Sequence, residues 1–487
     1  MTTLEDIVSR FKIEFVAQFI AVGAGGLLLV LLARMLDPAE YGLLFLAIAV
    51  FSVLGVISKL GIAKSGARYV AEYKERDPSQ LPHILRACLL YNLATIGIVV
   101  VALAVGHRLI ADALGEPALA PLLLLGVCYV VVESLKVYVR LVLQGFESIR
   151  IAGTIYALDQ ASRLVFAVTF VLLGFGALGA LAGYILSFTL VAGIGLTVIY
   201  VHHYRPHRGK GAVEPGLRRR IAEYTAPLTA TSTANVLDKQ IDTVLVGFFL
   251  TPVAVSYYVL SKQIVHFVET PVKALGFTLS PTFGAEKASG NSAHAARIYE
   301  QALIHTLLLY IPIAVGLVLV ARPTIELIFG SEYLEAVLVL QVLSAYIVLQ
   351  SITTLTSNSL DYLGRAKSRA IVKGVTAMMN VVLNIILIPR LGVVGAAIAT
   401  VITYSLYTVA NVAIIHQEFP LQLGRVARSL VQIVTITGVM AAVVYLVRDT
   451  VHGFVSLFTV VALGVTVWAI LAIATGLLSR QKLTSIA

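Results

Sequence analysis

The chain has 487 residues, of which 59% are hydrophobic and 13% charged, with a formal net charge of +10 and a mean hydropathy of +0.92. Soluble domains carry about 25% charged residues, so this composition excludes a soluble globular protein. One membrane-spanning helix needs about 20 apolar residues, and the chain holds enough for a dozen or more. The predicted fold class is an all-α polytopic membrane protein.

Apolar windows bounded by charged residues or by Pro and Gly predict fourteen transmembrane helices. In chain order they lie at residues 14–35, 41–62, 84–106, 119–143, 152–174, 177–201, 224–250, 253–280, 299–321, 334–359, 370–389, 393–415, 429–447 and 453–478. The segment before the first helix, residues 1–13, carries four charged residues and no small-residue cleavage site. We therefore expect no removable signal peptide.

The Lys and Arg residues alternate along the predicted connections. Most of them lie in the N-terminal segment, the even-numbered connections and the C-terminal tail. The odd-numbered connections hold only Arg34, Arg108, Arg322, Arg390 and Arg448. This imbalance follows the positive-inside rule and predicts that both termini are cytoplasmic. The positive net charge then reflects topology and contact with anionic lipid, and a nucleic-acid partner is not expected.

The two halves of the chain match each other weakly when one is shifted on the other. The matches, at offsets of 214 to 216 residues, are 36–38 with 250–252, 71–72 with 285–286, Lys59 with Lys273, and 176–180 with 392–396. Units of six helices that keep the same orientation are related by an axis along the membrane normal, as in several transporters. We therefore predict two parallel six-helix repeats plus two extra helices, with a substrate path between the two repeats.

This repeat divides the chain into four parts. They are an N-terminal lobe (1–204), a basic cytoplasmic linker (205–222), a C-terminal lobe (223–416), and the two additional helices, 13 and 14, with a short tail (417–487). The basic charge of the linker is interpreted as a topology signal on a tether between the lobes.

Charged residues form a stripe on the eighth predicted helix. Lys262, His266, Glu269 and Lys273 follow each other at spacings of 4, 3 and 4, and Tyr258 extends the stripe by one turn. Such spacing places all of them on one helix face. Charges inside a membrane are costly and normally face a hydrated interior, so the stripe is predicted to line a cavity.

Similar patterns occur on three other helices. The fourth carries Tyr129, Glu133, Lys136 and Arg140, the fifth carries Asp159 and Arg163, and the seventh carries Asp238 and Asp242 beside Lys239. Each has a structural alternative: Asp159 and Arg163 could form an intrahelical salt bridge, and Lys136, Arg140 and Lys273 could extend toward the headgroups.

Two lysines at matching repeat positions, Lys59 and Lys273, suit a dianionic headgroup because Lys is a mobile point charge for phosphate. Lys262, Arg140 and Arg68 are secondary candidates. Three acids, Asp238, Asp242 and Glu269, are candidates for coupling to H⁺ or Na⁺, because burial raises a carboxyl pKa. Static pairing with neighbouring lysines is the alternative for them.

Uncharged polar residues continue in the tenth to twelfth predicted helices. They are Gln350, Thr353, Thr354 and Asn358, followed by Lys373, Asn380 and Asn384 at helical spacing. Hydrogen bonding between helices is one explanation. Contact with sugar hydroxyls is the other.

Sequence signatures of catalysis are missing. There is no Walker A sequence, no H-E-x-x-H and no large soluble insertion, and the two cysteines, Cys88 and Cys128, lack metal-ligand spacing. We expect no enzyme activity, no metal and no cofactor, with H⁺ or Na⁺ as candidate coupling ions.

Several segments together carry a family resemblance. They are 31–42 (LLARMLDPAEYG), 61–72 ending in RYVAE, 242–247 (DTVLVG) followed by SYY at 256–258, SPTF at 280–283, and 384–404 with PRLGVVGAAIAT at 389–400. With these segments the chain resembles the polysaccharide flippases of the multidrug/oligosaccharidyl-lipid/polysaccharide exporter superfamily, the O-antigen-type flippases of lipid-linked oligosaccharides. The resemblance covers nearly the whole chain.

This resemblance implies twelve core helices in two lobes, an extra helix pair and alternating access. It implies a substrate in which a glycan is linked through phosphate or pyrophosphate to undecaprenol or dolichol, moved from the cytoplasmic to the external leaflet. Membrane lipids and other glycan-assembly proteins are the implied partners. Related lipid II flippases use cations on helices 2 and 8, which correspond to Lys59 and Lys273. This chain departs from the pattern with Lys in place of Arg there, and with Asp37 in place of Gly.

Other functions remain open from the sequence. A multidrug or toxic-compound cation antiporter of the same superfamily is the first, although such exporters usually lack the extra helix pair. A membrane enzyme of glycan polymerisation would need a long external loop, and the predicted external loops are short. A structural or receptor role fits the charged stripes poorly.

Overall fold

A computed structural model describes residues 21–209, 211–269, 292–418 and 420–478. Within these ranges the regular structure is entirely helical. The chain divides into two compact units, Met1–Ser256 and Tyr257–Ala487. We describe each unit separately.

The first unit contains eight helices and the start of a ninth. They are α1 Ala21–Met35, α2 Pro38–Leu54, α3 Val56–Arg76, α4 Leu81–Ala113, α5 Leu119–Gly145, α6 Ile149–Phe170, α7 Gly176–Val198, α8 Leu217–Phe249 and α9 Pro252–Val268. Helix α5 lies at the centre, packed against α2, α3, α4 and α7, while α8 packs along α2 and α3. This arrangement surrounds the polar face of α5 with other helices.

The second unit contains the rest of α9 and six further helices. They are α10 Ser292–Ile328, α11 Ala336–Tyr362, α12 Ala366–Leu391, α13 Val393–Glu418, α14 Leu423–Val447 and α15 Phe454–Ala474. Helix α13 packs on α11 and α12, and α10 packs on α11, α14 and α15. Glu300 ties α10 to the start of α14, because its carboxylate accepts hydrogen bonds from Gln422 N (2.5 Å) and from Arg425 (3.1 Å).

Every predicted apolar segment overlaps one of these helices. Of the helices within the described ranges, nine are long and apolar enough to cross a membrane, or ten if the bent pair α2 and α3 forms one span. One of the nine is the continuous run 149–207, which contains both α6 and α7. The chain is therefore a multi-pass helical membrane protein, while the count of fourteen and the repeat layout stay predictions.

The second predicted segment, 41–62, is bent and does not form one continuous helix. Helix α2 ends at Leu54 and α3 begins at Val56, and the axes of the two helices differ by 55°. Glycine permits sharp bends in helices. At Gly55 a Cβ atom would lie 2.7 Å from Lys59 Cε, so the missing side chain leaves room for the lysine stem.

Two turns that match in the sequence repeat also share a backbone conformation. Gly176 before α7 has φ 53° and ψ −141°, and Gly392 before α13 has φ 63° and ψ −150°. Positive φ is readily accessible only to glycine. The local match of the two turns therefore extends from the sequence to the backbone.

The end of the predicted linker is part of the first unit's structure. Helix α8 begins at Leu217, seven residues before the predicted seventh helix, because Leu217 and Ile221 are fully buried in a core cluster with Tyr73 and Leu81. The predicted linker thus ends in a docked helical turn.

A hydrogen-bonded clasp, formed by Tyr73, Gln80, Glu214 and Arg220, fixes the chain just before this turn. The Glu214 carboxylate accepts from Tyr73 OH and from Arg220, each at 2.6 Å. Gln80 accepts from Glu214 N and donates to Ala212 O, both at 2.9 Å. The hydrogen bonds from Tyr73 and Arg220 hold the pKa of Glu214 below its ordinary value of 4.5.

We expect Glu214→Gln to open this clasp. The neutral amide loses the charge-assisted bond to Arg220, so hydrogen–deuterium exchange of peptides containing Ala212 and Glu214 should speed up, with Glu223→Gln, an exposed acid in α8, as the control. In the unaltered chain, the lowered pKa means that ionised Glu214 stabilises the folded state above pH 4.5. This stabilisation is lost as the pH falls through the lowered pKa. Protection should therefore be equal at pH 7 and pH 5; a loss between these two values would contradict the assignment.

Candidate functional site

A charged cluster lies in the first unit, formed by Lys59, Glu133, Lys136, Asp159 and Arg163. The ammonium group of Lys59, on α3, makes a hydrogen-bonded ion pair with Glu133 on α5. Both side chains are largely buried, with 8% and 17% of their surface exposed. The space above Gly55 lets the Lys59 stem lie against the helix break, so the bend between α2 and α3 helps to position this pair.

Asp159 on α6 forms the second part of the charged cluster. Its carboxylate lies 3.2 Å from Lys136 Nζ and 3.8 Å from Arg163 Nη2. Ser187 of α7 donates hydrogen bonds to the Asp159 carbonyl (2.9 Å) and carboxylate (3.3 Å), and Ser162 lies 2.7 Å from Ser187 Oγ. One carboxylate therefore holds two cations and is itself fixed by a neighbouring helix.

Aromatic rings surround these cations. Phe188 lies below Lys136, whose Nζ is 3.4 Å from the ring centroid, and Arg163 lies over both Tyr184 and Phe188 at 5.2 and 5.6 Å. Tyr129 is buried and packs between Phe51 and Phe188. Cations over ring faces are stabilised electrostatically, so the rings replace part of the lost hydration.

The charges of this cluster do not cancel. Three cations face two carboxylates, which leaves one net positive charge within a bundle of apolar helices. Breaking a buried ion pair strands a charge at considerable cost, and ionisable residues in membrane helices are rare outside functional sites. The cluster can accept an anion in exchange for one of its carboxylates.

Several sequence-predicted residues thus come together. Glu133 and Lys136 of the fourth predicted helix, with Asp159 and Arg163 of the fifth, meet Lys59 of the second in one cluster. The intrahelical contact of Asp159 with Arg163 is present at 3.8 Å. The headgroup-facing alternative for Lys136 does not fit, because its ammonium group is held between Asp159 and Phe188.

The other predicted residues of the first unit differ in their exposure to solvent. Arg68 is exposed and stacks on Tyr224 at 4.0 Å, and Arg140 is exposed over Tyr156 at 5.0 Å. Asp242 on α8 is buried, with 2% of its surface exposed, and Asp238 one turn earlier is half-buried. Their proposed roles stay predictions.

The stripe on α9 is only partly on one buried face. Tyr258 is fully buried and lies 3.3 Å from Thr400 Oγ1, with Lys262 Nζ 5.3 Å from its ring. Glu269 is buried and His266 is exposed, with Nδ1 3.5 Å from the Glu269 carboxylate. The fifth member of the stripe, Lys273, lies outside the described residues.

Asn380 and Asn384 form hydrogen bonds between and within helices. Asn380 Nδ2 donates to Thr403 Oγ1 of α13 at 3.3 Å, and Asn384 Nδ2 donates to Asn380 Oδ1 at 2.9 Å. Both residues are buried. Of the two explanations given for these asparagines, hydrogen bonding by helix residues is the one that this geometry matches.

Sequence reasoning missed three kinds of residue that lie beside the charged cluster. Serine is common in membrane helices, so Ser162 and Ser187 gave no signal of a site. Phe188 is one apolar residue among many and gave none either. Gly55 could have been found, because a glycine four residues before an intramembrane lysine indicates space for its stem.

Comparisons with known proteins agree with this fold. A family model described as "Polysaccharide biosynthesis protein" matches residues 11–285, more than half of the chain, and a second, MatE, matches residues 227–386. The "Probable low-salt glycan biosynthesis flippase Agl15" of Haloferax volcanii is 23% identical over 82% of this chain and 81% of its own length. The "Lipopolysaccharide biosynthesis protein WzxC" of Escherichia coli is 26% identical over 84% of this chain and 80% of its own.

Two solved structures show the same fold. The inward closed lipid II flippase MurJ aligns with a TM-score of 0.78 at 17% identity, covering 94% of this chain and 97% of that one. An inward-facing multidrug resistance MATE transporter aligns with a TM-score of 0.70 at 14% identity, covering 85% and 98%. The chain therefore belongs to the family of polysaccharide biosynthesis proteins.

Proposed function

We propose that this protein is a flippase that moves a polyprenyl-phosphate- or pyrophosphate-linked oligosaccharide from the cytoplasmic to the external leaflet. Family membership supports this function, as do relatives that are named flippases of glycan biosynthesis. In this proposal the chain is a transporter and not an enzyme. It lies in the cell membrane with both termini in the cytoplasm, and it moves substrate by alternating access.

The charged cluster is the observation that carries the proposal. Its surplus positive charge sits among membrane helices, where it is costly unless an anion uses it. A substrate phosphate can replace Glu133 as the partner of Lys59, because phosphate offers several acceptor oxygens to an ammonium group. Between transport cycles, Glu133 returns to Lys59, so that this lysine keeps an anionic partner in the empty site. We also assign phosphate contacts to Lys273, the repeat mate of Lys59, with Lys262, Arg140 and Arg68 as secondary contacts.

The test is deletion of the gene, followed by analysis of lipid-linked glycans. We expect a lipid-linked oligosaccharide to accumulate on the cytoplasmic face and the exported glycan to disappear, with restoration by the wild-type gene. Unchanged glycan export combined with new drug sensitivity would reject the proposal. It would favour a multidrug antiporter instead. This alternative is the one to compare because the MatE family model matches residues 227–386.

We further propose that Asp242 couples transport to H⁺ or Na⁺, with Asp238 and Glu269 as alternative coupling sites. Asp242 is 2% exposed on α8, and a buried carboxylate interacts strongly with a proton or a small cation. Asp242→Asn should slow transport in proteoliposomes and flatten its dependence on pH or on Na⁺. Asp449→Asn, in the exposed turn before α15, is the control. If Asp242→Asn keeps the wild-type dependence on both ions, the coupling role is wrong.

A further inference from the structure

A tyrosine–lysine cluster in the second unit is separate from the charged cluster. It consists of Tyr346 on α11, Lys373 on α12, and Tyr404 and Tyr407 on α13. Lys373 Nζ donates to Tyr404 OH at 3.0 Å and lies 4.3 and 4.7 Å from the ring centroids of Tyr404 and Tyr407. Tyr346 meets Tyr404 edge to face, with 4.6 Å between ring centroids. One ammonium group is thus held among tyrosine rings.

The cluster faces the interior of the second unit. The exposed apolar residues of α12 repeat at helical spacing: Ile371, Val375, Met378, Val382 and Ile386. A residue advances by about 100° around a helix axis, so Lys373 lies on the opposite side of α12. On α13 the exposed large hydrophobic residues are Ile402, Leu406 and Val409, and Tyr404 and Tyr407 lie away from them. The apolar faces suit lipid, and the cluster is turned away from it.

Lys373 does not extend toward the nearer polar end of its helix. The Asn380–Thr403 hydrogen bond and the close approach of Gly395 to Leu387 set the antiparallel register of α12 and α13, and this register places Lys373 level with Ala410. Tyr407 and Tyr404 are three and six residues farther from the basic end of α12, which is about 4 to 9 Å deeper at 1.5 Å per residue. Intramembrane lysines usually extend toward the headgroups; this one reaches toward the middle of its own helix.

Two amide side chains beside the cluster have unused hydrogen-bonding capacity. Gln350, one turn after Tyr346, has a buried Oε1 with no hydrogen-bond partner among the described residues. Asn411, one turn after Tyr407, is fully buried, and both atoms of its amide lack a partner within the same part of the chain. Thr353 and Thr408, 2.7 Å apart, set α11 and α13 in register and place Gln350 level with the tyrosines. Unsatisfied buried amides are costly, which points to a polar ligand.

We propose that the tyrosine–lysine cluster, with Gln350 and Asn411, is a sugar-binding subsite that takes a pyranose ring of the transported glycan. A pyranose has an apolar C–H face, which packs on a tyrosine ring, and a rim of hydroxyl groups. Lys373 and Tyr404 donate to these hydroxyls, and the Gln350 and Asn411 amides both donate and accept. Ligand sites typically combine aromatic walls with a few such polar groups. This inference rests on the proposed flippase function and adds the part of the chain that recognises sugar.

Probes that differ only in the sugar test this subsite. The full chain in lipid nanodiscs is titrated with farnesyl diphosphate, farnesyl diphosphoglucose and farnesyl diphospho-N-acetylglucosamine, with binding measured by native mass spectrometry. We expect at least one sugar to increase the affinity of the wild type about tenfold. Tyr404→Leu and Lys373→Met should remove this increase and leave the affinity for farnesyl diphosphate unchanged. Tyr404→Phe, which keeps the aromatic packing, should remove a smaller part of the sugar-dependent increase in affinity. Tyr445 is an exposed tyrosine on α14, and Tyr445→Leu should leave this increase unchanged.

The outcomes separate the subsite from the flippase proposal. If the wild type binds farnesyl diphosphate and neither sugar adds affinity, the subsite is wrong and the flippase proposal stands. If Tyr404→Leu and Lys373→Met weaken all three probes equally, the cluster binds phosphate, and the sugar assignment is overturned. If the wild type binds none of the probes, the flippase proposal itself fails, and the subsite fails with it.

Discussion

Lys59→Met should abolish most glycan export at normal protein levels. The substitution removes a charge-assisted hydrogen bond to the substrate phosphate, worth about 1.5–3 kcal/mol, or roughly a ten- to hundredfold loss of binding. It also strands the Glu133 carboxylate, which is 17% exposed, and stranding one member of a buried pair costs about 3–5 kcal/mol of unfolding free energy. Export is measured as the ratio of surface glycan to lipid-linked precursor in cells that lack the native gene.

A double variant separates the two effects. Lys59→Met with Glu133→Gln leaves no stranded charge, so we expect the free energy of unfolding to return close to wild type while export stays low. Lys64→Met, an exposed lysine on the same helix, is the matched control and should behave as wild type. Restored export in the double variant would show that Lys59 only neutralises Glu133, and the phosphate assignment would then be wrong.

Hydropathy located the helices well because lipid imposes a simple rule on them. Backbone polar groups must be satisfied within the segment, so each apolar run of sufficient length became a helix. The same rule could not find the break at Gly55, because the run 41–54 stays apolar up to that residue and a single glycine is common in membrane helices. The bend depends on what packs beside the helix, here the Lys59 stem.

Helical spacing predicted part of the candidate site for a similar reason. It placed Glu133 with Lys136, and Asp159 with Arg163, because residues three or four apart share a helix face. It could not pair Lys59 with Glu133, which are 74 residues apart in sequence. The distance between helices is set by packing of small and aromatic residues, such as Gly126 against Phe51, and charge patterns do not report it.

The same limit applies to Lys373. The sequence grouped it with Asn380 and Asn384 as polar residues that bond helices or sugars. The structure separates them: the two asparagines bond between and within helices, and Lys373 lies among tyrosines. The register of α12 and α13 decides this difference, and register depends on contacts such as Gly395 against Leu387.

Asp159→Asn should destabilise the first unit more than any other single neutralisation in the charged cluster. The asparagine keeps the size of the side chain and can still accept from Ser187, so only the charge changes. Lys136 and Arg163, each 18% exposed, then lose their shared carboxylate, and the net charge of the cluster rises from +1 to +2. Breaking a buried pair in this way costs about 3–5 kcal/mol, to be measured by denaturant unfolding in detergent micelles.

Removing one of the stranded cations should recover part of this loss. Asp159→Asn with Lys136→Met returns the net charge to +1 and places an apolar chain over Phe188, where the lysine stem lay. Asp112, an exposed acid near the end of α4, provides the control for losing a carboxylate anywhere in the first unit. Asp112→Asn should leave the free energy of unfolding within about 0.5 kcal/mol of wild type. Equal stability of Asp159→Asn and Asp112→Asn would mean that Asp159 does not hold the two cations. A double variant less stable than Asp159→Asn alone would mean that Lys136 stabilises the bundle through the Phe188 ring more than through its charge partner.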